Sequence, residues 1–317
     1  MNYEQRITQL KQLIESTLTP YITSNYVLYD LPYYSNIGDT LIWEGELCFL
    51  GTLGYKCIDT ASRTTCTFPE LQNDIIILVQ GGGNLGDLYH EHMDFLIKLT
   101  EKYPLNRILV FPQTFFYNDK KRLQCDAELL ATHKDLILCA RDNESYSLLK
   151  TFFSNTILLL PDMAFCIPTL ELNKYRTIEG NKTLLLKRSD CELDNEKIPL
   201  LPPEIDCKDW PTFEHRLNDG VFIGKVISTL SKLNLPIIGG KINKLWDFYA
   251  YRVYRKDLLR IGVKFVSQYR YIYSTRLHVF ILAILLHKEV KIIDNSYKKN
   301  STFYNTWLKD FDGAELI

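Results

Sequence analysis

The chain has 317 residues, enough for two domains, and its 46% hydrophobic and 24% charged residues are ordinary for a folded globular protein. Lys and Arg number 37 against 38 Asp and Glu, a formal charge of -1, so no global field draws the chain to nucleic acid or a membrane and any anion site must be local. Its eight cysteines form no C-x-x-C pair and no zinc spacing, which fits reduced, mostly buried thiols of a cytoplasmic protein rather than a disulfide framework.

Residues 1–15 are polar and helix-like, with apolar positions at Ile7, Leu10, Leu13 and Ile14, and do not read as a signal peptide. A strand at Val27–Leu31 leads into Asn36-Ile37-Gly38-Asp39, read as a turn before an amphipathic helix over Thr40–Leu50 with Asp39 as its N-cap. Asp74–Gln80 is an apolar strand of the kind buried on both faces in a parallel sheet, and it runs into the glycine-rich turn Gly81–Asp87. That turn satisfies G-x-G-x-x-G, but the next strand, Arg107–Phe111, ends in Pro112-Gln113-Thr114 with no acid for a ribose, so dinucleotide binding ranks low. His90-x-His92 has no carboxylate cluster beside it and reads as surface histidines, with no metal required.

Strand Leu136–Ala140 ends in Arg141-Asp142, a helix follows through Tyr146–Phe153, and strand Thr156–Leu160 ends in Pro161-Asp162. Strands alternating with helices predict a doubly wound α/β parallel sheet, and its carboxyl edge collects Asn36, Asp39, the glycine-rich segment, Gln113, Arg141 and Asp162. A polar stretch from Glu171 to Asn181 divides the chain into domains 1–172 and 173–317.

In the second half, Thr183–Leu186 ends in Lys187-Arg188-Ser189-Asp190 and Pro199–Pro211 reads as a loop. Phe213–Leu233 contains a helix, Leu235–Gly239 a strand and Lys244–Arg260 a helix; Val263–Val266, Tyr271–Tyr273 and Glu289–Ile293 read as strands, before a short terminal helix that could pack back on the first half. The aromatic and basic stretch Trp246–Arg260 is read as a packed amphipathic helix, with peripheral contact to a membrane as the other reading. The longest apolar run, Val279–Leu286, is too short to span a bilayer. Between Tyr273 and that run lies Ser274-Thr275-Arg276-Leu277-His278, where a strand gives way to a helix and free N–H groups favour an oxyanion. On its own the pair Arg276 and His278 is read equally well as a salt-bridged arginine and a core histidine.

The ordered set Asn36–Asp39, Gly81–Asn84, Pro112–Thr114, Arg141-Asp142 with Ser145, Pro161-Asp162, Lys187–Asp190, Arg276–His278 and Asp294–Tyr297 with Lys299-Asn300 resembles the polysaccharide pyruvyl transferase family. The resemblance implies two Rossmann-like domains facing across a cleft, as in GT-B glycosyltransferases, with the acceptor on the N-terminal side and the donor on the C-terminal side. It implies phosphoenolpyruvate as co-substrate, no further cofactor, and transfer of its enolpyruvyl group to two hydroxyls of a sugar, as a ketal, in bacterial capsule or exopolysaccharide synthesis. The acceptor could be lipid-linked, which would put the enzyme at the inner face of the membrane. By the same resemblance His278 is the general acid, Asp39 a candidate base, and Arg276, Arg141, Arg188 and Lys299 hold the donor's anionic groups. Asn36, Gly82, Gly83, Asn84, Gln113 and Leu277 complete the binding set. Thr275 departs from the pattern, since many relatives carry an acid there. A nucleotide-sugar glycosyltransferase and a non-catalytic sugar-binding protein are the alternative readings.

Overall fold

The computed structural model describes residues 2–190, 204–214, 239–296 and 298–317, with isolated positions 193, 194, 196, 198, 199, 226 and 229. The first sheet is built from β1 Tyr26–Tyr29, β2 Cys57–Thr60, β3 Ile76–Val79, β4 Gly82–Gly86, β5 Ile108–Phe116, β6 Leu136–Ala140 and β7 Thr156–Leu159. All pairings are parallel, in the order β2-β1-β3-β5-β6-β7; β3 pairs with the first half of β5, and β4 continues beside its second half. The second sheet, also parallel, has the order β12-β11-β10-β8-β9, from β8 Thr183–Leu186, β9 Asp206–Lys208, β10 Tyr271–Ser274, β11 Val290–Ile292 and β12 Ala314–Leu316.

Strands such as Ile76–Val79 and Leu136–Ala140 are buried at every residue, as a parallel sheet covered on both faces requires. One face of the first sheet packs Val27, Ile77 and Val110 against Met93, Leu96 and Leu130 from the helices His90–Lys102 and Lys120–Ala131. The other face belongs to a single apolar cluster that runs from Ile7 to Ala314 and joins both sheets. Helix Ile37–Leu50 lies in that cluster, against the helices Arg255–Ser267 and Leu277–Leu285 of the second half. It is therefore buried almost all round, where the sequence pattern suggested one apolar face.

Several boundaries differ from the sequence reading. Asn36, not Asp39, is the N-cap: its side chain accepts from the Gly38 amide, and the helix begins at Ile37. The glycine-rich segment is strand β4 rather than a turn, because the free edge of β5 beyond Val110 needs a hydrogen-bonding partner. Val263–Val266 is the buried face of a helix, with Leu258, Leu259, Gly262, Val263 and Val266 inward at helical spacing. Part of the expected loop Pro199–Pro211 forms β9, which pairs with β8, and β12 was not anticipated. Residues 215–225 and 230–238 lie outside the described residues, and with them most of the helix read within Phe213–Leu233 and the strand read at Leu235–Gly239; Gly239 itself opens a helix.

The terminal helix Lys299–Trp307 reaches the first half, where the Trp307 indole donates to the Arg141 carbonyl at 2.7 Å and the Asn143 amide donates to Thr306 Oγ1 at 3.2 Å. Among the described residues no helix is long and apolar enough to cross a membrane.

Candidate active site

A cleft of about 400 Å³ opens where the carboxyl ends of β1, β8 and β10 meet β4. Tyr34, Asn36, Asp39, Arg63, Gly83, Asn84 and His92 form its N-terminal wall; Arg188, Asp190, Arg276, Leu277, His278 and Lys299 face them. Asp39 is held in the first turn of its helix, where Oδ2 accepts from the Tyr34 hydroxyl at 2.9 Å and from Asn36 Nδ2 at 2.8 Å.

On the opposite wall, the helix Leu277–Leu285 is apolar and buried apart from His278 and starts at the cleft, so the amides of its first turn and its dipole face the cleft. Arg276 precedes it. The Arg276 guanidinium forks onto Asp209, with Nε donating to Oδ1 at 2.6 Å and Nη2 to Oδ2 at 2.7 Å, and it also meets Asp190 at 3.2 Å. The Phe213 ring lies 5.0 Å below it. Arg188 forks onto the same Asp190. The two arginines are thus fixed in direction by carboxylates, and Arg276 keeps the Nη1 edge of its guanidinium for a ligand. Thr275 is buried away from the cleft; its hydroxyl accepts from the Arg188 amide and donates to the Leu186 carbonyl, tying the ends of β8 and β10.

His278 Nε2 donates to Asp162 Oδ2 at 3.2 Å, and the same oxygen accepts from Arg141 Nη1 at 2.8 Å. Burial pushes the Asp162 carboxyl up, but the His278 charge and hydrogen bond, Arg141 and the Ala164 amide outweigh it and hold it at about 2. Nδ1, the other ring nitrogen, has no hydrogen-bond partner among the described residues and sits beside Gly38, where a Cβ would come within 2.6 Å of it. Only glycine at position 38 leaves the imidazole this space.

A second Asp–His pair lines the N-terminal wall. His92 Nδ1 donates to Asp30 Oδ2 at 2.6 Å, while Nε2 accepts from Arg63 Nη1 at 2.9 Å. Asp30 adopts a left-handed φ of 62° just after β1, a strained conformation that turns its carboxylate towards His92. His92 is buried, which corrects its reading as a surface histidine; His90 is exposed. Among the described residues no group of three or more His, Cys, Asp or Glu is placed to hold a metal ion.

Of the residues singled out in the sequence, Asn36, Asp39, Gly83, Asn84, Arg188, Arg276, Leu277, His278 and Lys299 line one cleft. Gly82, Gln113 and Arg141 do not. Gln113 is buried and fastens β5 to its neighbours, donating to the Gln80 carbonyl at 2.8 Å and accepting from the Asn84 amide. Gly82 takes a positive φ of 142° where β4 begins. Arg141 is fully buried behind His278, bound to Asp162 and to Thr114 Oγ1, and its Nη2 lies 2.6 Å from where a Gly83 Cβ would stand. That same Cβ would overlap Lys299 Nζ, so two cations approach the backbone at Gly83. Asp30, Arg63, His92, Asp209 and Tyr34 had not been singled out as site residues. A polar residue directly after a strand was the one available signal for Asp30, and Asp209 lies 67 residues from the arginine it holds.

A family profile described as polysaccharide pyruvyl transferase matches residues 36–297. The chain is 31% identical to the putative pyruvyl transferase EpsO of Bacillus subtilis, across 100% of this chain and 96% of that one. It is 25% identical to pyruvyl transferase 1 of Schizosaccharomyces pombe, across 92% of this chain and 72% of that one. An uncharacterised Klebsiella pneumoniae protein of known crystal structure superposes with a TM-score of 0.64 over 97% of this chain and 98% of that one, at 20% identity, a likeness of fold.

Proposed function

The chain belongs to the polysaccharide pyruvyl transferase family, and from that premise we propose that its cleft binds phosphoenolpyruvate and transfers the enolpyruvyl group to two hydroxyls of a sugar, making a pyruvate ketal for a bacterial capsule or exopolysaccharide. The observation that carries this reading is the meeting, in one cleft, of an apolar helix N-terminus, oriented arginines and an imidazole with one nitrogen held by a buried carboxylate. Phosphoenolpyruvate is compact and carries a carboxylate and a phosphate, the latter with roughly −1.5 to −2 charge near neutral pH. The Nη1 edge of Arg276, Arg188, Lys299 and the amides at Leu277 supply donors for both groups.

His278 gives a proton from Nδ1 to the methylene carbon, so that C3 becomes a methyl group and C2 a cationic centre stabilised by its bridging oxygen. The first sugar hydroxyl adds to C2 and its proton restores the acid. The C2–O bond to phosphate then breaks, the second hydroxyl closes the ring, and its proton leaves with the phosphate. Asp39, on the opposite wall, is the base that draws each proton from its hydroxyl and passes the first on to His278 and the second to the departing phosphate, with Tyr34 and Asn36 fixing its Oδ2. Asp162 and Arg141 orient His278 from behind, a role that replaces direct donor binding for Arg141. Gly83 provides clearance for Lys299. In this reading the first half is the acceptor side and the second the donor side of a GT-B-like cleft.

A thermal-shift titration tests the donor assignment. Phosphoenolpyruvate is expected to raise the melting temperature of the wild type but not of Arg276→Ala, and nucleotide sugars to leave both unchanged. Stabilisation by nucleotide sugars and not by phosphoenolpyruvate would overturn the reading.

A further inference from the structure

The helical stretch that begins at Gly239 and ends at Ser267 has two unlike faces. Trp246, Ala250, Tyr254, Leu258 and Val263 are buried in the common core, as a packed amphipathic helix requires. Every exposed side chain from Lys241 to Ser267 is either cationic (Lys241, Lys244, Arg252, Lys256 and Lys264) or apolar (Leu245, Phe248 and Val253). Its two acids are withdrawn: Asp247 is buried, with Thr65 Oγ1 donating to it at 2.6 Å, and Asp257 is half-buried and paired with Arg260. In a chain with formal charge -1, Lys241, Arg252, Lys256 and Lys264, beside a Lys244 that is paired with Asp59 of β2, make a local field opposite to the whole.

Leu245 is 57% and Phe248 62% exposed, one helical turn apart, with Lys241, Lys244 and Arg252 beside them at spacings of three and four. Edge strand β2 extends the patch, since Ile58, 49% exposed, lines one hollow with Lys244, Phe248 and Arg252. From Ile58 the chain needs only five residues to reach Arg63 in the cleft, a span of at most about 18 Å. On the buried side Trp246 packs against Tyr33, next to Tyr34 of the cleft wall.

We propose that this face docks on an anionic bilayer surface, with Leu245, Phe248 and Ile58 entering the headgroup boundary and Lys241, Arg252 and Lys256 meeting lipid phosphates. Cations surrounding exposed apolar side chains complement such a surface in both charge and polarity, whereas an acidic protein partner would leave the apolar centre without a match. Docking holds the cleft within reach of an acceptor anchored in the same bilayer. That purpose rests on the proposed function; the binding itself does not.

Flotation of the full-length protein with vesicles of phosphatidylcholine alone, or with roughly a third phosphatidylglycerol, tests the proposal. Binding is expected only with the anionic lipid and is lost at roughly 1 M salt, where the screening length is about 3 Å. Lys241→Glu/Arg252→Glu and, separately, Leu245→Ser/Phe248→Ser should each weaken it at least about tenfold, while Lys241→Arg/Arg252→Lys retains it. These side chains are exposed, so each variant should keep the wild-type melting curve and its response to phosphoenolpyruvate without vesicles. No binding to anionic vesicles, equal binding to neutral ones, or binding unchanged by both disruptive variants would overturn the docking surface, and none of these results would touch the donor assignment.

Discussion

The cleft contains two Asp–His pairs that share a plan and differ in one bond. In each, an aspartate within three residues of a strand end holds a histidine in the first turn of a helix: Asp30 with His92, and Asp162 with His278. His92 has both ring nitrogens engaged, Nδ1 by Asp30 and Nε2 by Arg63, so it serves to place Arg63 at the cleft. His278 has Nε2 tied to Asp162 and Nδ1 without a partner among the described residues. The carboxylate alone does not make a proton donor. In the proposed mechanism, what separates the moving proton of His278 from the fixed one of His92 is the nitrogen without a partner among the described residues.

The largest consequence is expected at His278 itself. His278→Gln should keep the fold and lower phosphate release from phosphoenolpyruvate by about 10²- to 10⁴-fold, the range for loss of a general acid. Asp162→Asn should act through the ring it orients, lowering turnover about 10- to 100-fold, as when partners that orient other functional imidazoles are removed. It also leaves the buried Arg141 without its counter-ion, at a cost of about 3–5 kcal/mol in chemical denaturation. Arg276→Lys, which keeps the charge but loses the fork onto Asp209, should raise KM for phosphoenolpyruvate about tenfold with a smaller change in kcat.

His92→Gln sharpens the contrast from the other side. Neither ring nitrogen of His92 is open to a substrate, so kcat should stay within about threefold of wild type, while KM for the acceptor rises as Arg63 loses its support. A loss as deep as that of His278→Gln would erase the distinction between the pairs. The smallest effect lies in acid stability. Asp162 is ionised down to about 2 in the fold, against about 3.9 in the unfolded chain. The unfolded state therefore binds the extra proton between those values, and the stabilisation present above pH 4 is lost as pH falls towards 2. Melting temperatures from pH 4 to 2 should fall more steeply for wild type than for Asp162→Asn.

The parallel strands were legible because a strand buried on both faces is an uninterrupted apolar run, as at Ile76–Val79 and Leu136–Ala140. Val263–Val266 misled for the same reason: four residues of a buried helix look like a short strand until Leu258 and Leu259 supply the helical spacing. Asn36, Arg276 and His278 stood out as polar residues at element ends. So did Asp162 and Asp39, which hold His278 and Asn36, but Asp209, which holds Arg276, did not. Asp30 lies 62 residues from His92, and the tie depends on a left-handed backbone that a non-glycine residue rarely adopts and sequence pattern does not announce. Arg141 was legible as a strand-end arginine, but its depth was not, since the groups around its guanidinium, Thr114, Asp162, His278 and Gly83, come from four separate segments.

The most direct test of the account is phosphate release from phosphoenolpyruvate with a panel of lipid-linked sugar acceptors, followed side by side for wild type, His92→Gln and His278→Gln, with product mass as the second readout. The account predicts release and a ketal product from wild type, the same product at a similar kcat from His92→Gln, and almost none from a folded His278→Gln protein that still binds the donor. Near wild-type release from His278→Gln would contradict it.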